Sequence, residues 1–239
     1  MQRQGSATLP KVVSIQSVFR HLDTFFLQPM LHRLTLPVTA FEQNCSLVWC
    51  DQTHEAALID PGGDTPKLEA AIQQRGLTLK AIWLTHAHID HAGATGTLAR
   101  THAVPIIGPH EGDDYWILAL PQQSQMFGFP AAEGFAPTRW LHQGDEVQIG
   151  RSTLQVLHCP GHTPGHVVFY SAELKHAFVG DLLFAGGIGR TDFPGGNHAD
   201  LIKAIKTRLF TLGDAVTFTP GHGPESTLGE ERRYNPFVI

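Results

Sequence analysis

At 239 residues the chain suits one large domain or two small ones, and 42% hydrophobic against 16% charged residues excludes disorder as the dominant state. A net charge of -5 with a pI near 6.3 argues against nucleic acid as a principal partner, because that partner needs a basic face. No apolar run approaches the roughly eighteen residues of a membrane helix, so no membrane partner is expected; the outlier is histidine, at fifteen residues.

Residues 1–29 hold Arg3, Lys11 and Arg20 against one acid, Asp23, and their apolar residues recur at roughly helical spacing. That basic, acid-poor pattern has the flavour of an organellar transit peptide. The plainer reading is an extension upstream of a start at Met30, outside the fold, with 30–239 as one domain. Strands are expected at 31–38, 45–50 and 56–60, where short apolar or alternating runs are separated by polar turns. Pro61-Gly62-Gly63-Asp64 breaks the third, and Thr65-Pro66 opens a helix to about Gln74. A strand at 79–84, a helix over 91–102 and a strand at 104–107 follow. Residues 109–145 are the least regular, with a helix expected over 111–120 and a Gly/Pro-rich stretch carrying Met126, Phe127, Phe129 and Phe135. This segment is a lid or one wall of a substrate groove, or else a long loop anchored to the core by its aromatics. Four more strands (146–149, 153–158, 167–170, 176–179), a helix (200–209) and a last strand (215–219) complete the chain. Two strand-rich halves, each ending with helices, predict two sheets packed face to face under outer helices.

Cys45, Cys50 and Cys159 are the only cysteines. On one strand the first two stand roughly 16 Å apart, beyond disulfide reach, and an odd count without a framework suggests a reducing, cytoplasmic setting.

The chemistry concentrates at strand exits. Thr85-His86-Ala87-His88-Ile89-Asp90-His91 follows an apolar strand and offers three imidazoles and a carboxylate, ligands suited to zinc, iron or manganese. Strand 153–158 leads to Cys159-Pro160-Gly161-His162-Thr163-Pro164-Gly165-His166, strand 176–179 to Asp181, and strand 215–219 to His222. Such exits can converge on one rim of a sheet. The arithmetic suits two metals: His86, His88 and His162 for one ion, Asp90, His91 and His222 for the other, and Asp181 bridging. Two ions sharing a hydroxide lower its pKa toward 7 and make a nucleophile at neutral pH. Asp90 is placed to orient that hydroxide as a catalytic residue. Asp60, in an Asp-Pro-Gly turn, is a candidate acceptor for the spare N–H of a ligand histidine. His166 is either a shaper of the metal loop or a plain core histidine. The remaining histidines, His110, His142, His158 and His176 among them, read as surface or packing.

The segment Thr85–His91 resembles the HxHxDH signature of the metallo-β-lactamase superfamily, and His162, Asp181 and His222 match its remaining ligands. The resemblance spans residues 31–239 and implies a four-layer αββα sandwich, an α/β fold with the metals at one edge of the β layers. Aspartate at 181 resembles the hydrolase branches and not the true lactamases, so antibiotic hydrolysis is not expected. Gly161–His166, Gly187–Phe193 and Phe218–Pro224 are similar to glyoxalase II-like proteins in their short bacterial form. That family implies hydrolysis of a thioester, S-D-lactoylglutathione to D-lactate and glutathione, with two divalent ions, zinc first and iron or manganese as alternatives. Only seventeen residues follow His222, so the C-terminal helical domain that holds glutathione in the long enzymes is not expected here. Arg190 is the candidate to anchor an anionic substrate, or else braces Asp192. The alternative function is a mononuclear-iron persulfide dioxygenase acting on glutathione persulfide, which the same framework also resembles.

Overall fold

Alternation along the first strands sorts side chains onto two faces, and both faces find partners. In the computed structural model, which describes residues 30–239, a first sheet is built from β1 (Leu31–Val38), β2 (Gln43–Cys50), β3 (Glu55–Ile59), β4 (Thr78–Trp83) and β5 (Ile106–Ile107) in that spatial order. The expectations for residues 1–29 lie outside the described residues. Val48, Ala57, Ile59 and Trp83 point toward the second sheet, while Leu47, Ala56, Leu58 and Ile82 point the other way. Helices α1 (Thr65–Gln74) and α3 (Thr95–His102) cover that outer face with Leu68, Ile72 and Leu98. Between them lies the single turn α2 (Ile89–Ala92).

The second sheet follows the same logic. The short helices α4 (Asp114–Leu118) and α5 (Leu120–Phe127) precede β6 (Glu146–Ile149), β7 (Ser152–His158), β8 (Val167–Ser171) and β9 (His176–Gly180). A small hairpin, β10 (Leu183–Phe184) and β11 (Gly187–Ile188), leads to α6 (His198–Ala204), then β12 (Thr217–Pro220), β13 (Ser226–Thr227) and α7 (Leu228–Tyr234). The sheet order is β13-β12-β9-β8-β7-β6, with β12 and β9 parallel. Val156, Val167, Phe169 and Phe178 meet the first sheet, and Trp83 lies against Phe169 at 5.6 Å between ring centroids. On the far face Val168, Val179 and Phe218 pack under Leu201, Ile205 and Leu209. The four layers are helix, sheet, sheet, helix, as expected.

Local differences have local causes. The helix expected over 91–102 is two pieces, because the chain turns at Gly93 where Ala94 N–H bonds Pro61 O at 3.0 Å instead of continuing the ladder. The helix expected over 111–120 is a 3₁₀ turn (Glu111–Asp113) followed by α4. The α5 helix was not anticipated; its Pro121 sits in the first turn, where a missing N–H costs nothing. The helix expected over 200–209 begins at His198 with Asn197 as cap and ends in a π turn, Ile205–Leu209. Among the described residues no helix is long and apolar enough to cross a membrane.

The chain exits of β4, β7, β9 and β12 share one rim. Backbone bonds stitch these loops together: Val167 N–H to Thr85 O at 2.8 Å, Gly221 N–H to Gly180 O at 2.7 Å, and Asn44 N–H to Gly221 O at 2.7 Å.

Candidate metal centre

At that rim the structure brings His86, His88, Asp90, His91, His162, Asp181 and His222 into one cluster. His86, His88 and His162 place ligand atoms within 4.8 Å of one another, and so do Asp90, His91 and His222. His88 Nδ1 lies 3.0 Å from His162 Nε2, and His222 Nε2 lies 3.0 Å from Asp90 Oδ2. Asp181 stands between the groups. Its Oδ1 is 3.3 Å from His91 Nε2 and 3.8 Å from His222 Nε2, whereas its Oδ2 is 3.5 Å from His162 Nε2.

Whether these residues suit a metal is tested by their unused lone pairs. His86 Nε2, His88 Nε2, His91 Nε2 and Asp181 Oδ1 are buried and make no hydrogen bond. Buried polar atoms rarely stay unpaired, and here the orphaned atoms are of the donor types that bind divalent transition metals. The donor set therefore fits a metal site. Its electrostatics agree. Burial, aided by the neighbouring imidazoles, holds His86 far below the ordinary histidine value and His88 down to about 3, so both are neutral and free to donate lone pairs. In the second group burial pushes His91 down, but Asp181 and Asp90 outweigh it and raise its pKa.

The surrounding groups fix the candidate ligand rings. Asp60, at a left-handed φ of 54°, receives Thr85 N–H at 2.7 Å and the Thr85 hydroxyl at 2.6 Å, and its Oδ2 lies 3.0 Å from His91 Nδ1. The Thr85 hydroxyl also lies 3.0 Å from His86 Nδ1, which leaves Nε2 for the cluster. His162 Nδ1 is held by Arg190 O at 2.8 Å, and His222 Nδ1 by Phe41 O at 3.0 Å. His166 is fully buried, stacks on His86, and accepts Asp181 N–H at 3.2 Å. The Arg190 guanidinium lines the cavity beside the cluster, where it makes a two-pronged pair with Asp192 at 2.7 and 2.6 Å and lies over Phe193.

Residues that the motifs did not reveal complete the site. Asp113 is buried and accepts from Ala87 N–H at 3.1 Å, the Thr163 hydroxyl at 2.8 Å and Gly165 N–H at 2.6 Å. Gln123 accepts Ile89 N–H at 3.0 Å. Both come from 109–145, where local pattern is weakest and no spacing rule points to a distant loop. A cavity of about 560 Å³ opens over the ligands, walled by Phe41, Trp116, Met126, Phe127 and Phe193; 109–145 thus supplies one wall of it. A separate surface group, His110, Glu111 and His142, has its donor atoms equally close. There Gly112 N–H donates to His110 Nδ1 at 3.0 Å, which puts the ring proton on Nε2 and works against metal binding at that atom.

Two sheets back to back between helices, with histidine and aspartate loops converging at one rim, define a metallo-hydrolase fold. The chain belongs to the metallo-beta-lactamase superfamily, whose family profile matches residues 38–222, and it is an enzyme of that superfamily. It is 47% identical over 204 residues to the hydroxyacylglutathione hydrolase GloC of Haemophilus influenzae, covering 85% of this chain and 96% of that one. Among solved structures, the BLEG-1 B3 metallo-beta-lactamase superposes with a TM-score of 0.80 at 34% identity, covering 87% of this chain and 99% of the other. TTHA1623, solved in a di-iron-bound form, superposes with a TM-score of 0.78 at 39% identity, covering 85% and 99%.

Proposed function

We infer that the chain is a two-metal thioester hydrolase, and that S-D-lactoylglutathione, cleaved to D-lactate and glutathione, is its leading substrate. The observation that carries this reading is Asp181, which turns one oxygen toward His91 and His222 and the other toward His162. His86, His88 and His162 would hold one ion and Asp90, His91 and His222 the other, with Asp181 between them. Zinc, iron and manganese all suit these donors. When bound, two such ions supply a water of lowered pKa and a Lewis-acidic contact for the substrate carbonyl oxygen.

The protein's own groups do the rest. Asp90, within 3.0 Å of His222, accepts the attacking water's proton and aims its lone pair at the thioester carbon. A C–O bond forms, the C–S bond breaks, and the thiolate leaves with the electron pair, needing little protonation. Trp116, Phe127 and Phe193 exclude bulk water from the reacting centre. The activity for which GloC is named supports the substrate class, and the intact Asp90, His91 and His222 group favours two ions over one.

Metal analysis coupled to turnover tests the reading. Two ions per chain with hydrolysis of S-D-lactoylglutathione is the expected result. One iron per chain with oxygen uptake on glutathione persulfide would establish the dioxygenase instead. The likeness to BLEG-1 makes a β-lactam the informative control, expected to be turned over poorly.

A further inference from the structure

The candidate ligands border two cavities, and the proposed hydrolysis has so far used one. The second, of about 480 Å³, shares His162, Asp181, Arg190 and His222 with the first. Beyond those shared residues its wall is apolar: Phe184, Ala185 and Ile188 from the β10–β11 hairpin, with Gly223 and Pro224 after β12. The first cavity differs in kind. Besides its aromatic rings it offers Tyr115 and Gln122, side chains that donate and accept hydrogen bonds.

The hairpin that carries the apolar wall is tied down by buried polar groups. Glu231 on α7 and Asn235 just after it are 3% and 1% exposed. Gly186 N–H, in the hairpin turn, donates to Glu231 Oε2 at 2.8 Å. Asn235 Nδ2 donates to Gly187 O at 2.9 Å and to Phe184 O at 3.4 Å, and also reaches Glu231 Oε2 at 2.9 Å. A buried acid or amide is costly unless it is bonded, so these contacts fix the hairpin backbone to α7. Phe184 in turn stands 6.4 Å from His222 between ring centroids. The wall is therefore held at a set distance from the ligand cluster.

A thioester carries two arms on one reacting carbon, the acyl chain on one side and the sulfur arm on the other. Two cavities that meet at the candidate ligands can take one arm each. Complementarity assigns them. The peptide-like glutathione arm, with its amides and carboxylates, matches the cavity that holds Tyr115 and Gln122, whereas an aliphatic acyl chain matches the hairpin wall. A lactoyl group reaches only two carbons past its carbonyl and is short against a cavity of this size.

We propose that the cavity under the β10–β11 hairpin is the acyl subsite, and that it extends past lactoyl to take unbranched aliphatic acyl chains carried on glutathione. The inference rests on the thioester reading and names its acyl class. Its first test is binding without turnover: S-methyl-, S-butyl- and S-hexylglutathione titrated into the metal-loaded protein by calorimetry. Affinity should rise about twofold or more per added methylene, within the roughly fourfold of a fully buried one. The same order is expected for kcat/KM along the acetyl, butyryl and hexanoyl thioesters of glutathione. Ala185→Asp sets a charge at the exposed hairpin turn, outside the first cavity, and creates an Asp-Gly pair that hairpin turns favour. It should flatten both series, while Ala185→Leu, apolar again, should keep the slope. Affinity and kcat/KM independent of chain length in the wild type would overturn the subsite, and so would an undiminished slope in Ala185→Asp. Cleavage of none of these thioesters, S-D-lactoylglutathione included, would instead overturn the thioester reading itself.

Discussion

Asp113 joins two ligand loops through one carboxylate, accepting from Ala87 beside His86 and His88 and from Thr163 and Gly165 beside His162. Burial pushes its pKa up to about 7 despite those three donors. Both oxygens already accept N–H bonds, so in Asp113→Asn an amide NH₂ must face a donor. The expected cost is about 1–3 kcal/mol for the unsatisfied contact, with weaker metal retention, read from Tm and metal content together. A variant that keeps both would show that the carboxylate is dispensable to the loops. At the same scale, His222→Ala should remove the second ion and lower kcat/KM by about two orders of magnitude or more; undiminished turnover would exclude the two-metal mechanism.

Among the elements, the tightest constraint is where turns cross. A Cβ on Gly62 would run into the Asp90 carbonyl, and one on Gly221 into the Asp181 carboxylate with His91 Cε1 only 2.7 Å away. These glycines permit close approach and thereby set where α2 and the loop after β12 lie. Gly62→Ala must displace Asp90, and a shift near 1 Å at a reacting group can cost about 10²-fold in rate. Circular dichroism unchanged beside a collapse of kcat is the expected pattern. Packing between the sheets makes a separate prediction. Phe169 is fully buried against Trp83, so Phe169→Ala should lose about 3–5 kcal/mol in denaturant titration with little change in metal affinity measured on the folded fraction.

For the whole molecule, stability should follow pH through a group far from the metal rim. His176 is 1% exposed, lies 2.7 and 2.8 Å from the Thr217 and Thr219 hydroxyls, and is pushed by burial, and then by Arg33, from 6.5 down to about 4. A depressed folded pKa means that the unfolded chain takes up the proton first as acid is added. Stability from this group is whole above about pH 6.5 and drains away toward pH 4, by up to about 3 kcal/mol in all. Urea midpoints across that window should fall in the wild type and flatten in His176→Gln. Metal should act in the opposite direction: an ion bound only by the folded state raises Tm, so a chelator should lower it, and His222→Ala should shrink the difference.

Much of this was legible along the chain. Period-two alternation marks strands because each side chain faces one of two layers, and that pattern located most strands of both sheets and the layered order. The candidate ligands stand out in the sequence because His86, His88, Asp90 and His91 are packed into one turn, and because His162, Asp181 and His222 each follow an apolar strand. The weakly patterned stretch 109–145 hid α5, Asp113 and Gln123, since a buried carboxylate that serves a distant loop leaves no periodic trace. What only the tertiary structure decided was convergence and distance: which oxygen of Asp181 faces which histidine, that Arg190 spends its fork on Asp192, and that two cavities meet at the candidate ligands. These depend on contacts between residues far apart in sequence, which the packing of the two sheets sets and local propensity does not encode.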